Sequence, residues 1–393
     1  MNKRVLAAAP LIAALLLGGC GGSDPNKIQY GLITGPSGVS GDALTAVSSG
    51  MTAVSTENGT RTQTYMAAGE SADDYKTVFA QAAEEGVDYV LCVGPEMEIP
   101  VYEAQSANKK SKYILFDGEP RKSADAGSLI KDNTMCITFD EASMGFLAGG
   151  AAVREGLRNI VFMTGTETSE DSAQYLAGFI NGIGYECSAL NVDASTVTVG
   201  VEYAGTEAIS PMRMTDASRL FAGGTELIVT DIPAFLKAFT LAAQDGNKLG
   251  TVGFNATENA SVLFSATADL EKSTAWVLKE AGKKKGFKGG ETLKAGAAQN
   301  GIRFVSSYTN MSVLTTTDVE NILTAMSDGT AVAFDESAGA TETAAGSLKG
   351  LFDFGKAVNV VRVEPTAPQN DGTEASAETA TAAADSGAEA AEN

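Results

Sequence analysis

The sequence predicts an α/β protein of two lobes with a hinge between them, and three observations carry that expectation. Strand and helix patterns alternate through residues 28–116, pause at a small-residue stretch over 136–152, and then restart. Polar residues and glycines gather where strand patterns end, as they do at the ligand-binding rim of a parallel sheet. With 393 residues, 44% of them apolar, the chain is too long for one small core, so two α/β domains are expected.

The first twenty residues read as a processing signal. Lys3 and Arg4 precede an apolar run over 5–17, which is too short for a stable spanning helix, and Gly18-Gly19-Cys20 closes it. The arrangement resembles a bacterial lipoprotein lipobox, which implies that Cys20 becomes the acylated first residue of a protein held on the outer face of the membrane. Residues 21–27 then form a polar tether. Cys92, Cys136 and Cys187 sit in or beside apolar runs and are expected as buried thiols rather than a disulfide framework.

In the first half, 28–33 is a strand running into Thr34-Gly35-Pro36-Ser37-Gly38-Val39-Ser40-Gly41-Asp42, a loop able to approach a ligand closely. A helix over 42–58 follows it. The loop lacks Rossmann and Walker spacing, so it is not a phosphate cradle. Strands at 60–65, 87–93 and 112–116 alternate with helices at 71–85 and 101–108, which implies crossover units on a parallel sheet. Ser37, Gly94 and Asp117 should therefore share one rim.

The break at 136–152 reads as a short strand, Asp140 as helix cap, and a helix whose Gly145, Gly149 and Ala152 let it approach a sheet. Beyond it, strands are expected at 159–163, 197–203, 226–229, 251–254 and 261–266. Helices are expected at 169–182, 210–221, 234–245 and 270–282. Asp231 and Asn255 fall at strand ends. Strands at 291–297 and 302–308 are expected to pair across the Gln299-Asn300-Gly301 turn, and 317–326 is expected as an amphipathic helix. Lys283, Lys284, Lys285 and Lys288 suit a solvated helix end. Residues 336–364 hold one more strand candidate. From 365 to 393 there is no basic residue and nearly every side chain is small or acidic, so a disordered tail is expected.

The formal charge of −21 argues against nucleic acid or an anionic membrane surface as a partner. There is no histidine, no nucleophile elbow and no metal cluster, so neither an enzyme nor a cofactor is expected.

Four segments, in order, carry a resemblance to a known family: Gly86-Val87-Asp88-Tyr89-Val90 with Gly94; Ile114-Leu115-Phe116-Asp117; Thr138-Phe139 through Gly145-Phe146-Leu147-Ala148-Gly149; and Gly289-Gly290-Glu291-Thr292-Leu293-Lys294-Ala295-Gly296. Tyr175-Leu176-Ala177-Gly178-Phe179 adds a fifth. The chain resembles the basic membrane protein family of substrate-binding lipoproteins, which includes purine nucleoside receptors of ABC importers. That resemblance implies two Rossmann-like lobes joined by three crossings, in the manner of type I periplasmic binding proteins. Lobe 1 would hold 28–138 with 256–289, and lobe 2 would hold 139–255 with 290–335.

The resemblance also implies a nucleoside in the cleft, and a small neutral polar ligand is therefore expected, delivered to an ABC permease, with membrane contact through the lipid anchor only. Asp117 matches a binding Asp of the family, and Asn255 stands where another is usual. Departures bear on the ligand. Leu44 aligns with a stacking Phe and Ala268 with a binding Lys, which leaves Tyr203, Phe235 or Tyr175 as alternative ring platforms. Asp117, Asp231 and Asn255 also suit plain turn roles, Asp42 a helix start, and Tyr175 and Phe179 a core. A surface lipoprotein used for sensing or adhesion is the second reading of the same fold.

Overall fold

The computed structural model describes residues 27–243, 248–255, 262–306, 311–333 and 358–365. The signal segment with Cys20, the tether up to Asn26, residues 334–357 and the tail from 366 lie outside the described residues.

Two sheets organise the molecule. The first is parallel and contains β1 (Ile28–Thr34), β2 (Arg61–Met66), β3 (Tyr89–Val93), β4 (Lys112–Phe116), β5 (Thr134–Phe139) and β11 (Thr292–Ala295), in the order β11-β5-β4-β3-β1-β2. β3 is buried along its whole length because helices cover both faces of a parallel sheet. On these faces lie α1 (Asp42–Asn58), α2 (Ala72–Glu84) and α3 (Glu98–Ala107). α1 stops at Gly59, whose φ of 63° takes the left-handed conformation that caps a helix without Cβ strain. α2 starts at a capping box in which the Asp74 amide donates to Ser71 Oγ at 3.2 Å and the Ser71 amide donates to Asp74 Oδ2 at 3.3 Å.

The second sheet contains β6 (Asn159–Thr164), β7 (Thr198–Tyr203), β8 (Leu227–Thr230), β9 (Lys248–Gly253), β10 (Val262–Ala268), β12 (Ile302–Val305) and β13 (Asn359–Val363). Its order is β12-β10-β9-β8-β6-β7-β13, and only β12 runs antiparallel. Around it lie α4 (Glu141–Arg154), α5 (Glu170–Ala189), α6 (Pro211–Ala222), α7 (Pro233–Ala242) and α9 (Thr316–Ser327). Glu155 ties the segment after β12 back to the end of α4. Its carboxylate accepts from the amides of Ser312, Val313 and Leu314 at 2.8–3.0 Å and from Lys248 at 3.0 Å. Burial opposes its ionisation, but those bonds outweigh it and hold the carboxyl down at about 2.

Four expectations need correction. The chain leaves the first sheet after Phe139, but it returns only after β10, whose seven residues are all buried between β9 and β12 in the second sheet. α8 (Leu270–Ala281) then packs on α1, so closely that a Cβ on Gly50 would come 2.3 Å from the Glu271 carbonyl oxygen. The third crossing follows β11, which belongs to the first sheet. The second and third boundaries therefore sit near 269 and 296, not 256 and 290, because a strand pattern does not encode which sheet receives it.

The hairpin expected across Gln299-Asn300-Gly301 does not form. β11 pairs in parallel with β5 while β12 pairs with β10, and Asn300 at φ 52° ends a short 3-10 turn between the lobes. The glycines of α4 face α5, not a sheet. A Cβ on Gly145 would lie 1.9 Å from the Tyr175 carbonyl oxygen, one on Gly149 2.0 Å from that of Phe179, and one on Gly182 2.0 Å from that of Phe146. α5 also runs on to Ala189, beyond the expected 182.

Candidate substrate-binding cleft

The carboxyl ends of the parallel strands in both sheets carry the polar residues, and the strand-end loops fix their directions. β3 ends at Gly94, whose φ is 93°, and a short 3-10 turn over Pro95–Met97 follows. A Cβ on Gly94 would lie 2.3 Å from a Glu96 carboxylate oxygen, so the bare glycine leaves the space into which Glu96 folds back. β4 ends at Asp117, which takes a left-handed φ of 57° while its amide donates to the Ile137 carbonyl at 2.9 Å. That conformation is uncommon outside Gly, Asn and Asp, and it turns a half-buried carboxyl at the strand end. Burial raises the Asp117 carboxyl above the usual range, followed by Glu96, by Asp171 of the opposite lobe, and by Glu98.

In the second lobe Asp231 follows β8. Its Oδ2 accepts from Ser172 Oγ at 2.5 Å and from Thr164 Oγ1 at 3.0 Å, while Oδ1 is buried without a partner. Burial pushes this carboxyl up to about 6 against the pull of those two hydroxyls, with Glu207 adding repulsion. Tyr175, one turn into α5 from Asp171, stands among groups of both lobes. Burial raises its phenol well above the ordinary value, and Glu141, Asp231, Asp171 and Asp117 raise it further. The phenol therefore stays protonated and can donate. At the hinge, Lys294 of β11 reaches Gln174 Oε1 at 2.8 Å and Glu141 at 3.2 Å, bridging first sheet to second-lobe helices.

The loop after β1 borders a cavity of about 540 Å³, lined by Thr34, Ser37, Leu44, Glu70, Tyr75 and Glu96 among others. Ser37 lines this cavity and is exposed, and Leu44 lines it too, half-buried. Asp42 opens α1 and is exposed outside the cavity lining. Asn255 is exposed just beyond β9. Tyr203 ends β7 beside Thr164, but its ring is faced by the Arg362 guanidinium of β13 at 6.0 Å.

Phe235 is a correction. It is 0% exposed in the core behind the second sheet, near Phe239 and Arg213, because α7 turns that face inward. No ring platform for a ligand is available there. Phe179 is likewise core, and Tyr175 packs partly buried against the same core, where the carboxylates of both lobes act on its phenol. Sequence reasoning passed over Glu70, Glu96, Thr34, Asp171 and Ser172. Two signals existed: Glu96 directly follows a strand-end Gly-Pro, and Asp171 and Ser172 occupy the first turn of α5 after a strand-end loop.

Among the described residues no cluster of His, Cys, Asp or Glu has the arrangement of a metal site, and no helix is long and apolar enough to cross a membrane.

Comparison with known proteins matches this architecture. A family model described as ABC transporter substrate-binding protein PnrA-like covers residues 43–329. The ABC transporter nucleoside-binding protein BmpA of Lactococcus lactis subsp. cremoris (strain MG1363) is 23% identical over 276 residues, 64% of this chain and 74% of its own. Among solved structures, an ABC transporter solute-binding protein from Conexibacter woesei DSM 14684 aligns at TM-score 0.53 and 16% identity, over 77% of this chain and 96% of its own. The arabinose-binding protein AraP from Geobacillus stearothermophilus aligns at TM-score 0.51 and 10% identity, over 72% and 98%. At those identities the two structures speak for the fold alone, the two-lobed type I periplasmic-binding architecture. The match over 43–329, far more than half of the sequence, shows that the chain belongs to the PnrA-like Bmp family of ABC transporter substrate-binding proteins.

Proposed function

We propose that the protein is a lipid-anchored receptor on the outer face of the membrane that delivers a small polar solute, a nucleoside, to an ABC importer. The observation that carries the reading is Asp117, the strand-end carboxyl at φ 57° that feels the charge of Asp171 from the other lobe. A carboxylate there can accept two hydroxyl hydrogen bonds from a ribose, and the nucleoside-binding name of the Lactococcus relative supports a nucleoside. Asp231 and Asn255 supply further acceptors, the Tyr175 phenol a donor, and Ser37 with the Gly94 turn the close backbone approach. Among the described residues no lysine or arginine lines the cavity beside β1, which disfavours nucleotides.

Calorimetry with adenosine, guanosine, inosine, uridine, ribose and free bases tests the ligand class. Asp117→Ala is expected to weaken the best ligand about tenfold or more, the usual cost of removing one buried hydrogen-bond partner. Indifference to all nucleosides removes the specificity claim, and full affinity in Asp117→Ala removes this placement of the site. Anchoring through Cys20 is tested separately by labelling cells with a fatty acid. The wild type should be tagged and Cys20→Ala should not.

A further inference from the structure

The cavity beside β1 has a chemistry that a neutral nucleoside leaves unused. Two of its lining residues, Glu70 and Glu96, are carboxylates, and no lysine or arginine lines it or forms an ion pair with either of them among the described residues. Thr34, which also lines it, is 1% exposed, and its Oγ1 is buried with no hydrogen-bond partner among the described residues. A buried hydroxyl left unpaired costs stability, and it survives where a bound molecule completes it. Gly94 and Gly35 keep the space open. A Cβ on Gly94 would collide with the Glu96 carboxylate, and one on Gly35 would come 3.2 Å from the Tyr75 hydroxyl.

We propose that this cavity seats a positively charged group of the ligand, an ammonium or guanidinium, held by the Glu70 and Glu96 carboxylates and the Thr34 hydroxyl. An ammonium carries three donors and no acceptor, and these three groups offer acceptor oxygens without protein partners among the described residues. Enclosing a neutral group here would strip water from two like charges with nothing opposite them, whereas a cation replaces that water with charge-assisted hydrogen bonds. The neighbouring groups add to the same field. Glu70 and Glu96, after burial, raise the Tyr75 phenol, and Glu96 raises Asp117. Leu44 lines the same cavity with an aliphatic side chain, and Tyr75 is the aromatic residue in its lining.

The inference rests on the solute-receptor reading, and the probes separate the two. Binding of adenosine, 5′-amino-5′-deoxyadenosine and spermidine to the full mature protein is measured by calorimetry at pH 7. A cationic probe should bind at least about tenfold tighter than adenosine. Glu96→Gln, at an exposed position, should cut that preference to less than about threefold, and Thr34→Val should weaken the cation while raising the thermal midpoint of the free protein. Spermidine binding with no nucleoside bound would remove the nucleoside reading and leave the charge inference standing. Adenosine binding as tightly as its amino derivative, a preference unchanged in Glu96→Gln, or no binding of any probe would overturn the inference.

Discussion

Asp231 shows how one carboxyl links stability to binding. Its ordinary value is 3.8 and the folded value about 6, raised mainly by burial. Between those two values the folded chain keeps a proton that the unfolded chain releases, so stability falls as pH rises through this window and the full penalty remains above it. Each tenfold change in proton affinity corresponds to about 1.4 kcal/mol. Asp231→Asn removes the penalty while keeping an acceptor for Ser172 and Thr164. The variant should therefore be more stable than wild type by about 3 kcal/mol at most at pH 7, and the two should converge below pH 4. The same substitution should weaken the ligand, the pattern expected where a site is maintained at the expense of the fold. Urea unfolding at pH 4 and pH 7 measures the first effect, and equal gains at both pH values would contradict it. The strand-end rule reached Asp117, Asp231 and Ser37 from the sequence because chain direction alone puts them on the rim. It missed Glu96 and Thr34, since a side chain folded back over Gly94 and a hydroxyl left unpaired are products of packing.

At the scale of elements, the α4–α5 pair is held by reciprocal glycines. Gly145 and Gly149 receive the carbonyls of Tyr175 and Phe179, and Gly178 and Gly182 receive those of Ala142 and Phe146. With no Cβ at four positions, the two backbones come into direct contact, which sets Asp171 and Tyr175 at the cleft relative to the hinge helix. Gly182→Ala would place a methyl 2.0 Å from a carbonyl oxygen and should cost at least about 1–3 kcal/mol. Gly184, two residues on in the same helix, has nothing within 4 Å of its Cβ position, and Gly184→Ala should stabilise by about 0.5–1 kcal/mol through the lower entropy of the unfolded chain. Opposite signs for neighbouring glycines, read from denaturant midpoints, separate packing from propensity, and equal signs would refute the tight pair. The small-residue face was visible in the sequence. Its partner was not, although Gly178 and Gly182 repeat the four-residue spacing of Gly145 and Gly149. Most strands were legible from apolar runs, but β11 and β12, adjacent in sequence across a turn signal, went to different lobes. Local periodicity reports that a strand exists and says nothing of which sheet edge is free to take it.

For the whole molecule, the charge distribution bears on the opening between lobes. Asp117 and Glu96 belong to the first lobe and Asp171 and Asp231 to the second, and among the described residues none of the four forms an ion pair with lysine or arginine. Their repulsion acts across a gap that must narrow when a solute is enclosed, and the Lys294 contacts to Glu141 and Gln174 at the hinge oppose it at one edge only. Exposed charges separated by more than about 8 Å are largely screened at physiological ionic strength, and the screening length drops to roughly 3 Å at 1 M salt. Added salt should therefore let the unliganded lobes approach, and removing one of the charges should do the same at low salt. Probes attached through cysteines introduced at Asp73 and Ala208, exposed positions on opposite lobes, would report the distance; Cys92, Cys136 and Cys187 are buried and free. The expected result is a shorter mean distance at 1 M than at 10 mM salt, with Asp171→Asn reproducing part of the shortening at 10 mM. A distance that ignores both salt and Asp171→Asn would mean that the hinge segments after Phe139, Ala268 and Ala295 set the opening by themselves and that the facing carboxylates serve the ligand alone.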